Sequence, residues 1–442
     1  MRHAFGNTRM KLVAGAVLLC LASAASAQSA VLVGGGATLP AVGYANDTSV
    51  RLMTPGTGSM LAAYNTANSV SSTYCQTGSG GGKNVLIGAT RTGISGPDAA
   101  NVACVVPGAT SPIGFGGTGT ATQPNFVGSD SPIASAEYSA YTASPAHTAT
   151  GSQPVQIPSV AGAVAIVFNK PEIDQLKLSE TQVCQIFSGQ IKRWQDLPSS
   201  AIVLKSGQSL APGNMNIVYR SDGSGTSFAF TNHLSAKCGS ATGGNGVATL
   251  FTTNQAYASG ASSYFSAYAS SAGASGNPAV VSTIVGSSGS IGYAETANSL
   301  QGSAQRALVA NDAAPTSFID PATFGSPLAV TVTFDKVIGA NDANGRPTLA
   351  NLPSTPAVAS CVAVVDPSNY ALPTSGYPIV AVSYLLTNAK GNGLDVTHVR
   401  SLLLAPYSAS IRSATTLVGP GTGLSWLTNS QINSVPLRCV GA

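Results

Sequence analysis

Apolar runs cut short by glycine or by a single charge recur along the chain. Val31-Leu32-Val33 stops at Gly34, Phe126-Val127 at Gly128, and Ile217-Val218-Tyr219 at Arg220. Two longer runs, Ala163 to Phe168 and Ile379 to Leu386, show almost no polar alternation. That pattern predicts strands buried on both faces, as in sheets covered by helices. Helical spacing appears elsewhere. Ser179 with Gln182 three positions on forms a capping box, and Val183, Ile186 and Phe187 then share one face until Gly189. A second helix is predicted from Gly225 to Cys238 through Phe228, Phe230 and Leu234, and a third over Asp395 to Leu404. The fold class read from this mixture is α/β. Trp194 is assigned to core packing at the end of the first of these helices. Residues 239 to 276 and 108 to 125, rich in Gly, Ser, Ala and Thr, are expected to be surface loops or insertions.

The start of the chain changes where this fold must live. Arg2, Arg9 and Lys11 precede an apolar run from Leu12 to Ala22, and Ala25-Ser26-Ala27 follows. This is the pattern of a signal peptide over residues 1–27, with cleavage expected before Gln28. The run is shorter than the roughly 20 residues a membrane-crossing helix needs. Cys20 follows Leu19 rather than a small residue, so it belongs to the discarded segment and is not a lipid acceptor. Of the seven cysteines, six remain: Cys75, Cys104, Cys184, Cys238, Cys361 and Cys439. An even number in an exported chain predicts disulfides. Many connectivities are open, and the spacing favours neighbours in order: 75 with 104, 184 with 238, 361 with 439. His147, His233 and His398 are far apart, and no cysteine stands at ligand spacing from them, so no metal and no cofactor are expected.

Length and charge narrow the class further. About 415 mature residues exceed what one hydrophobic core usually serves, which predicts two domains. Removing the leader takes three of the twenty bases and none of the sixteen acids, leaving a net charge of +1, which argues against a nucleic-acid partner. Only 8% of residues are charged, against roughly 25% in ordinary soluble domains, so each retained charge is informative.

Four segments carry candidate chemistry. Gly34-Gly35-Gly36-Ala37-Thr38-Leu39-Pro40 follows a predicted strand, where backbone amides can face a ligand; an ordinary turn is the bland alternative. Gly78-Ser79-Gly80-Gly81-Gly82-Lys83-Asn84 imitates a nucleotide P-loop but fails as one. Thr77 replaces the first glycine, and Asn84 replaces the magnesium-binding Ser or Thr. Arg220-Ser221-Asp222-Gly223-Ser224-Gly225-Thr226-Ser227 reads as strand end, loop and helix start. A helix beginning near Gly225 would aim amides and its positive dipole end at an anion, Ser224 and Thr226 would add hydroxyls, and Arg220 a fork steadied by Asp222. The competing reading is a surface Arg/Asp pair. In Phe126-Val127-Gly128-Ser129-Asp130-Ser131-Pro132, Asp130 would repel a fully ionised anion yet accept a hydrogen bond from one that keeps a proton.

These four segments, in this order, resemble the substrate-binding proteins of bacterial phosphate ABC transporters, and more closely the exported phosphate binders called DING proteins. Gln156-Ile157-Pro158-Ser159-Val160-Ala161, Phe187-Ser188-Gly189-Gln190-Ile191 and Gly289-Ser290-Ile291-Gly292-Tyr293 extend the resemblance over most of the chain. Leu32-Val33 departs from the Ile-Asn of DING proteins, and the intervals from Pro40 to Ser79 and from Ser79 to Asp130 are longer than in the importer receptors. The resemblance implies a two-lobed periplasmic-binding-protein fold with a hinge, with lobe one at 28–159 plus 372–442 and lobe two at 160–371. It implies inorganic phosphate held by Thr38, Leu39, Ser79 and Asp130 from the first lobe and by Arg220, Ser224, Gly225 and Thr226 from the second. The expected protein is a periplasmic monomer, or alternatively a secreted one, that serves a transporter permease and has no catalytic residues. A secreted phosphomonoesterase using the same cradle is the competing class. However, no GxSxG elbow and no histidine near a candidate serine is visible to activate a nucleophile. An adhesive role resting on the Gly/Ser-rich stretch is the third.

Overall fold

The long apolar runs become the middle of one large sheet. In the computed structural model, which describes residues 31–88, 115, 123–246 and 248–441, ten strands matter for the site. They are β1 (Val31–Gly36), β2 (Leu52–Met53), β3 (Ser71–Gln76), β4 (Phe126–Ser129), β5 (Pro154–Phe168), β6 (Asn216–Arg220), β7 (Ser270–Ala274), β8 (Ser290–Glu295), β9 (Val380–Asn388) and β10 (Leu424–Thr428). The twelve-stranded sheet runs β7-β6-β8-β5-β9-β4-β1-β3-β2, with β10 also on β5. All fifteen residues of β5 and all nine of β9 are buried, as continuous apolar runs require of strands covered on both faces.

β5 holds the sheet together along its length. Its C-terminal half, Val164 to Phe168, pairs antiparallel with β8, beyond which β6 and β7 lie parallel. Its N-terminal part pairs with β9, which hands on to β4 through Tyr384 to Leu386, and β1 lies parallel to both β4 and β3. The register of β5 and β9 slips between Ser383 and Tyr384, opposite Ser159. Such a bulge re-aims a side chain.

Helices cover the sheet, and those that begin at Glu180, Gly225 and Val396 lie where the spacing predicted them. α1 (Gly78–Ile87) follows β3; α2 (Glu180–Phe187) has the expected reciprocal cap between Ser179 and Gln182. α3 (Gly225–Lys237) follows β6, α4 (Asn277–Val285) and α5 (Thr296–Gln301) flank β8, and α6 (Val396–Leu404) ends as predicted. Trp194 is buried against Phe168, and its Nε1 donates to the Gly289 carbonyl. The disulfide Cys184–Cys238 ties α2 to the end of α3, and Cys361–Cys439 fastens the C-terminal helical turn. Cys75 is disulfide-bonded; Cys104, its expected partner, lies outside the described residues, as do the leader 1–27 and most of 108–125.

One expectation is overturned. Residues 239–276 are not simply a surface loop. Ser240–Thr242 pairs with Ala248–Leu250, short helical turns cover Tyr257–Gly260 and Ser262–Ala267, and β7 forms the sheet edge. Tyr257 and Tyr264 are fully buried, and Tyr257 packs among Phe230, Phe265 and Tyr293. A few aromatic anchors order a segment whose composition is otherwise that of a loop. Among the described residues, no helix is long and apolar enough to cross a membrane, and no group of three or more His, Cys, Asp or Glu could hold a metal ion.

Candidate functional site

The C-terminal ends of β1, β3, β4 and β6 meet in one place, and each delivers one of the four candidate segments. β6 ends on Arg220, and its guanidinium is buried and held on three sides. Nε and Nη2 donate to the two carboxylate oxygens of Asp222 at 2.7 and 2.5 Å, and Nη1 donates to Asn277 Oδ1 at 3.2 Å and Thr226 Oγ1 at 3.4 Å. Burial works against both charges of the pair. The mutual attraction and paired hydrogen bonds outweigh it, so Arg220 stays above and Asp222 below its ordinary pKa. Asp222 also accepts from the Gly276 amide at 3.0 Å. The fork is therefore held by Asp222 in a buried pair, and the competing reading of a surface Arg/Asp pair does not apply.

Beyond Asp222 the chain turns into α3. Ser224 caps it, its Oγ accepting from the Ser227 amide at 3.0 Å. That bond uses a lone pair and leaves the hydroxyl proton available to a ligand. Gly225 and Thr226 begin the helix, and all three residues are buried. Free amides and the positive end of the dipole lie at this end of α3.

Opposite stand the other segments. The glycine run Gly78 to Gly82 opens α1, with Gly78 at φ +78°, a conformation that favours glycine. Ser79 Oγ accepts from the Asp130 amide at 3.0 Å and lies 3.4 Å from Asp130 Oδ2. The Gly80 amide donates to the Gly223 carbonyl at 2.8 Å, joining α1 to the α3 loop. Gly225 is pressed so closely here that a Cβ would lie 2.4 Å from Ser79 Oγ and 2.5 Å from Asp130 Cβ. Lys83, the residue that imitated a P-loop lysine, is buried on Glu137 at 2.8 Å and Ser131 at 3.0 Å, and so braces the turn after Asp130.

Asp130 is the most perturbed group of the set. Burial pushes its carboxyl from 3.8 up to about 7, against the opposing pull of hydrogen bonds from Ser383 and Ser79 and of the Arg220 charge. Ser383 Oγ donates to Oδ1 at 2.6 Å from β9, beside the bulge at Ser159 of β5, whose Oγ donates to the Ser383 carbonyl. Glu295, which caps α5, is likewise buried and raised to about 8, by burial first and in small part by the Asp130 charge.

Thr38 and Leu39 complete the ring after β1. Both are buried; Thr38 Oγ1 accepts from the Asn277 amide at 3.1 Å, and its carbonyl accepts from Asn298 Nδ2 at 3.0 Å. All eight residues singled out from the sequence are thus buried. Direct contacts tie six of them into one cluster, Thr38 joins it through Asn277, and Leu39 adjoins Thr38 in the chain. Ser383, Asn277, Asn298 and Glu295 were missed. A signal existed for Ser383, a polar residue inside the apolar run Ile379 to Leu386, and for Asn277, which follows a Gly/Ser-rich run and precedes Pro278. Arrangements of this kind, with oriented donors, one fixed cation and one acceptor, suit a tetrahedral oxyanion that keeps a proton.

Comparison with known proteins gives a family and a fold. Residues 45–397 match the PBP superfamily domain. The chain is 27% identical over 297 residues to alkaline phosphatase L of Pseudomonas aeruginosa, covering 66% of this chain and 69% of that one. It is 45% identical over 85 residues to the phosphate-binding protein PstS of Haemophilus influenzae, covering 19% and 25%. A further phosphate-binding protein is matched at 34% identity over 138 residues, 34% of its length, so the chain spans only about a third of that relative. Among solved structures, a phosphate-binding protein from Stenotrophomonas maltophilia aligns with TM-score 0.60 and 23% identity, covering 92% of this chain and 94% of the other. A periplasmic phosphate-binding protein bound with phosphate aligns with TM-score 0.59 and 22% identity, covering 93% and 99%. At those identities the structural likeness concerns the fold.

Proposed function

Because the chain belongs to the PBP superfamily, we propose that it is an exported solute-binding protein that captures hydrogen phosphate between two lobes and has no chemistry of its own. The lobes are residues 28–159 plus 372–442 and residues 160–371, with β5 running from the first into the second. Thr38, Leu39 and Ser79 supply donors from the first lobe, and Arg220, Ser224, Gly225 and Thr226 from the second. Asp130 accepts a hydrogen bond from the hydroxyl proton that the anion retains. The observation that carries this reading is the meeting of Asp130 and Ser79 with Gly225, 95 residues beyond Asp130, at the open end of a helix whose flank holds the Arg220 fork.

Sulfate has the same size and charge as hydrogen phosphate but no proton to give. A buried acceptor left without its donor makes discrimination of roughly 10⁴-fold attainable. Delivery to a membrane permease from the periplasm follows from the same reading, with release outside the cell as the alternative. Isothermal titration with phosphate and sulfate at pH 8 tests it: phosphate is expected to bind at micromolar Kd or better, about −8 kcal/mol, with sulfate undetectable. Equal binding of the two would overturn the role given to Asp130, and no phosphate binding would overturn the reading itself. The same preparation with a chromogenic phosphate ester tests the phosphomonoesterase alternative, in which turnover would have to be lost with Arg220→Ala.

A further inference from the structure

On one flank of the anion seat lies a separate hollow of about 400 Å³. One wall is the loop of residues 48–51 with Gln76, and the other is the first turn of α4; Thr38 and Gly276 belong to both the hollow and the seat. Among the described residues, Arg51 is the only charged one lining it. The side chain is half-buried, its Nη1 donates to the Gln76 carbonyl at 2.8 Å, and among the described residues no carboxylate lies within ion-pair distance of it. In a chain where 8% of residues are charged, a half-buried cation with no carboxylate at ion-pair distance among the described residues needs a reason.

We propose that this hollow is an antechamber in which an incoming oxyanion is first held by Arg51, before the contact between Thr38 and Asn277 parts to admit it. The inference rests on the anion-binding reading above. Once inside, an anion is enclosed by buried groups, and Thr38 Oγ1 on the Asn277 amide closes the side between hollow and seat. The seat itself exerts little long-range attraction. Arg220 is neutralised by Asp222, and Asp130 and Glu295 are acids within the same region. Burial works against the Arg51 charge and Asp222 favours it, so Arg51 is the group that adds a positive charge on the side of the seat where the hollow lies. A cation placed so in a cleft with low-dielectric walls raises the association rate and leaves the final contacts unchanged.

Stopped-flow competition of the whole protein against a fluorescent phosphate sensor separates the rates. Arg51→Gln is expected to lower the association rate of phosphate about tenfold at low salt. The difference should shrink as ionic strength passes roughly 0.15 M, where screening acts within about 8 Å. The dissociation rate should change less than about twofold. Arg51→Lys keeps the charge and a donor for the Gln76 carbonyl, so it should restore most of the rate. An unchanged association rate in Arg51→Gln, a loss confined to dissociation, or a folded Arg51→Lys protein as slow as Arg51→Gln would each overturn the proposal. Failure of wild type to bind phosphate at all would instead strike the underlying reading.

Discussion

Asp130→Asn should make the ligand-free protein more stable in alkali and less able to hold phosphate. The carboxyl is 1% exposed, and its pKa is about 7 in the folded chain against 3.8 for a free side chain. Because the folded value is the higher one, folding takes up a proton between those limits. Stability present at pH about 4 is therefore lost progressively as pH rises through about 7, and the loss levels off beyond. At pH 8 the buried charge costs on the order of 4 kcal/mol. The substituted amide carries no charge, but it must share Ser383 and Ser79 less favourably, which returns roughly 1 to 2 kcal/mol. A net gain of about 2 to 3 kcal/mol at pH 8, turning into a deficit of roughly 1 to 2 kcal/mol at pH 4 where the charge cost is gone and the poorer hydrogen bonding remains, is the expected result. Glu295 is shifted in the same sense, to about 8, and remains in the variant, so the variant should keep a shallower alkaline decline of its own. Urea unfolding in phosphate-free buffer at pH 4, 7 and 8.5 measures both curves. If the variant were no more stable than wild type at pH 8.5, or its advantage did not change with pH, the assignment of a buried, reluctantly ionised carboxyl would be wrong.

Three further outcomes follow from the same geometry. Arg220→Ala leaves the Asp222 carboxylate buried without its partner, so it should destabilise the fold by about 3 to 5 kcal/mol in thermal or urea unfolding and abolish measurable phosphate binding in titration calorimetry. Gly225→Ala would place a methyl 2.4 Å from Ser79 Oγ and 2.5 Å from Asp130 Cβ, so phosphate affinity should fall at least about tenfold and stability by about 1 to 3 kcal/mol in thermal unfolding. As pH falls below about 7, Asp130 takes up a proton and becomes a donor, so sulfate affinity in calorimetry should rise while phosphate keeps its advantage above that pH.

Much of this molecule could be read from residue order. Ser179 and Gln182 close a capping box wherever the helix they start is placed, because the two bonds involve only residues three apart. The unbroken apolar runs around Ala163 and Val380 can only be strands hidden on both faces. Arg220 and Asp222, two residues apart at the end of a strand, pair as their spacing anticipated, and Ser224 caps the helix that follows.

Other features depended on residues far apart in the chain. Ser383 reaches Asp130 across 253 positions because β9 lies between β4 and β5, beside the bulge that Ser159 makes in β5. Asn277 links Arg220 to Thr38 only because β7 and α4 return beside β6. The segment 239–276, which composition alone made a loop, is ordered by Tyr257 and Tyr264 finding a pocket that other segments build. Local patterns determine elements and their ends, since backbone hydrogen bonds and short-range caps decide those. Which side chains share a buried space, and how far burial moves the pKa of Asp130, is set by long-range packing that the linear order does not display.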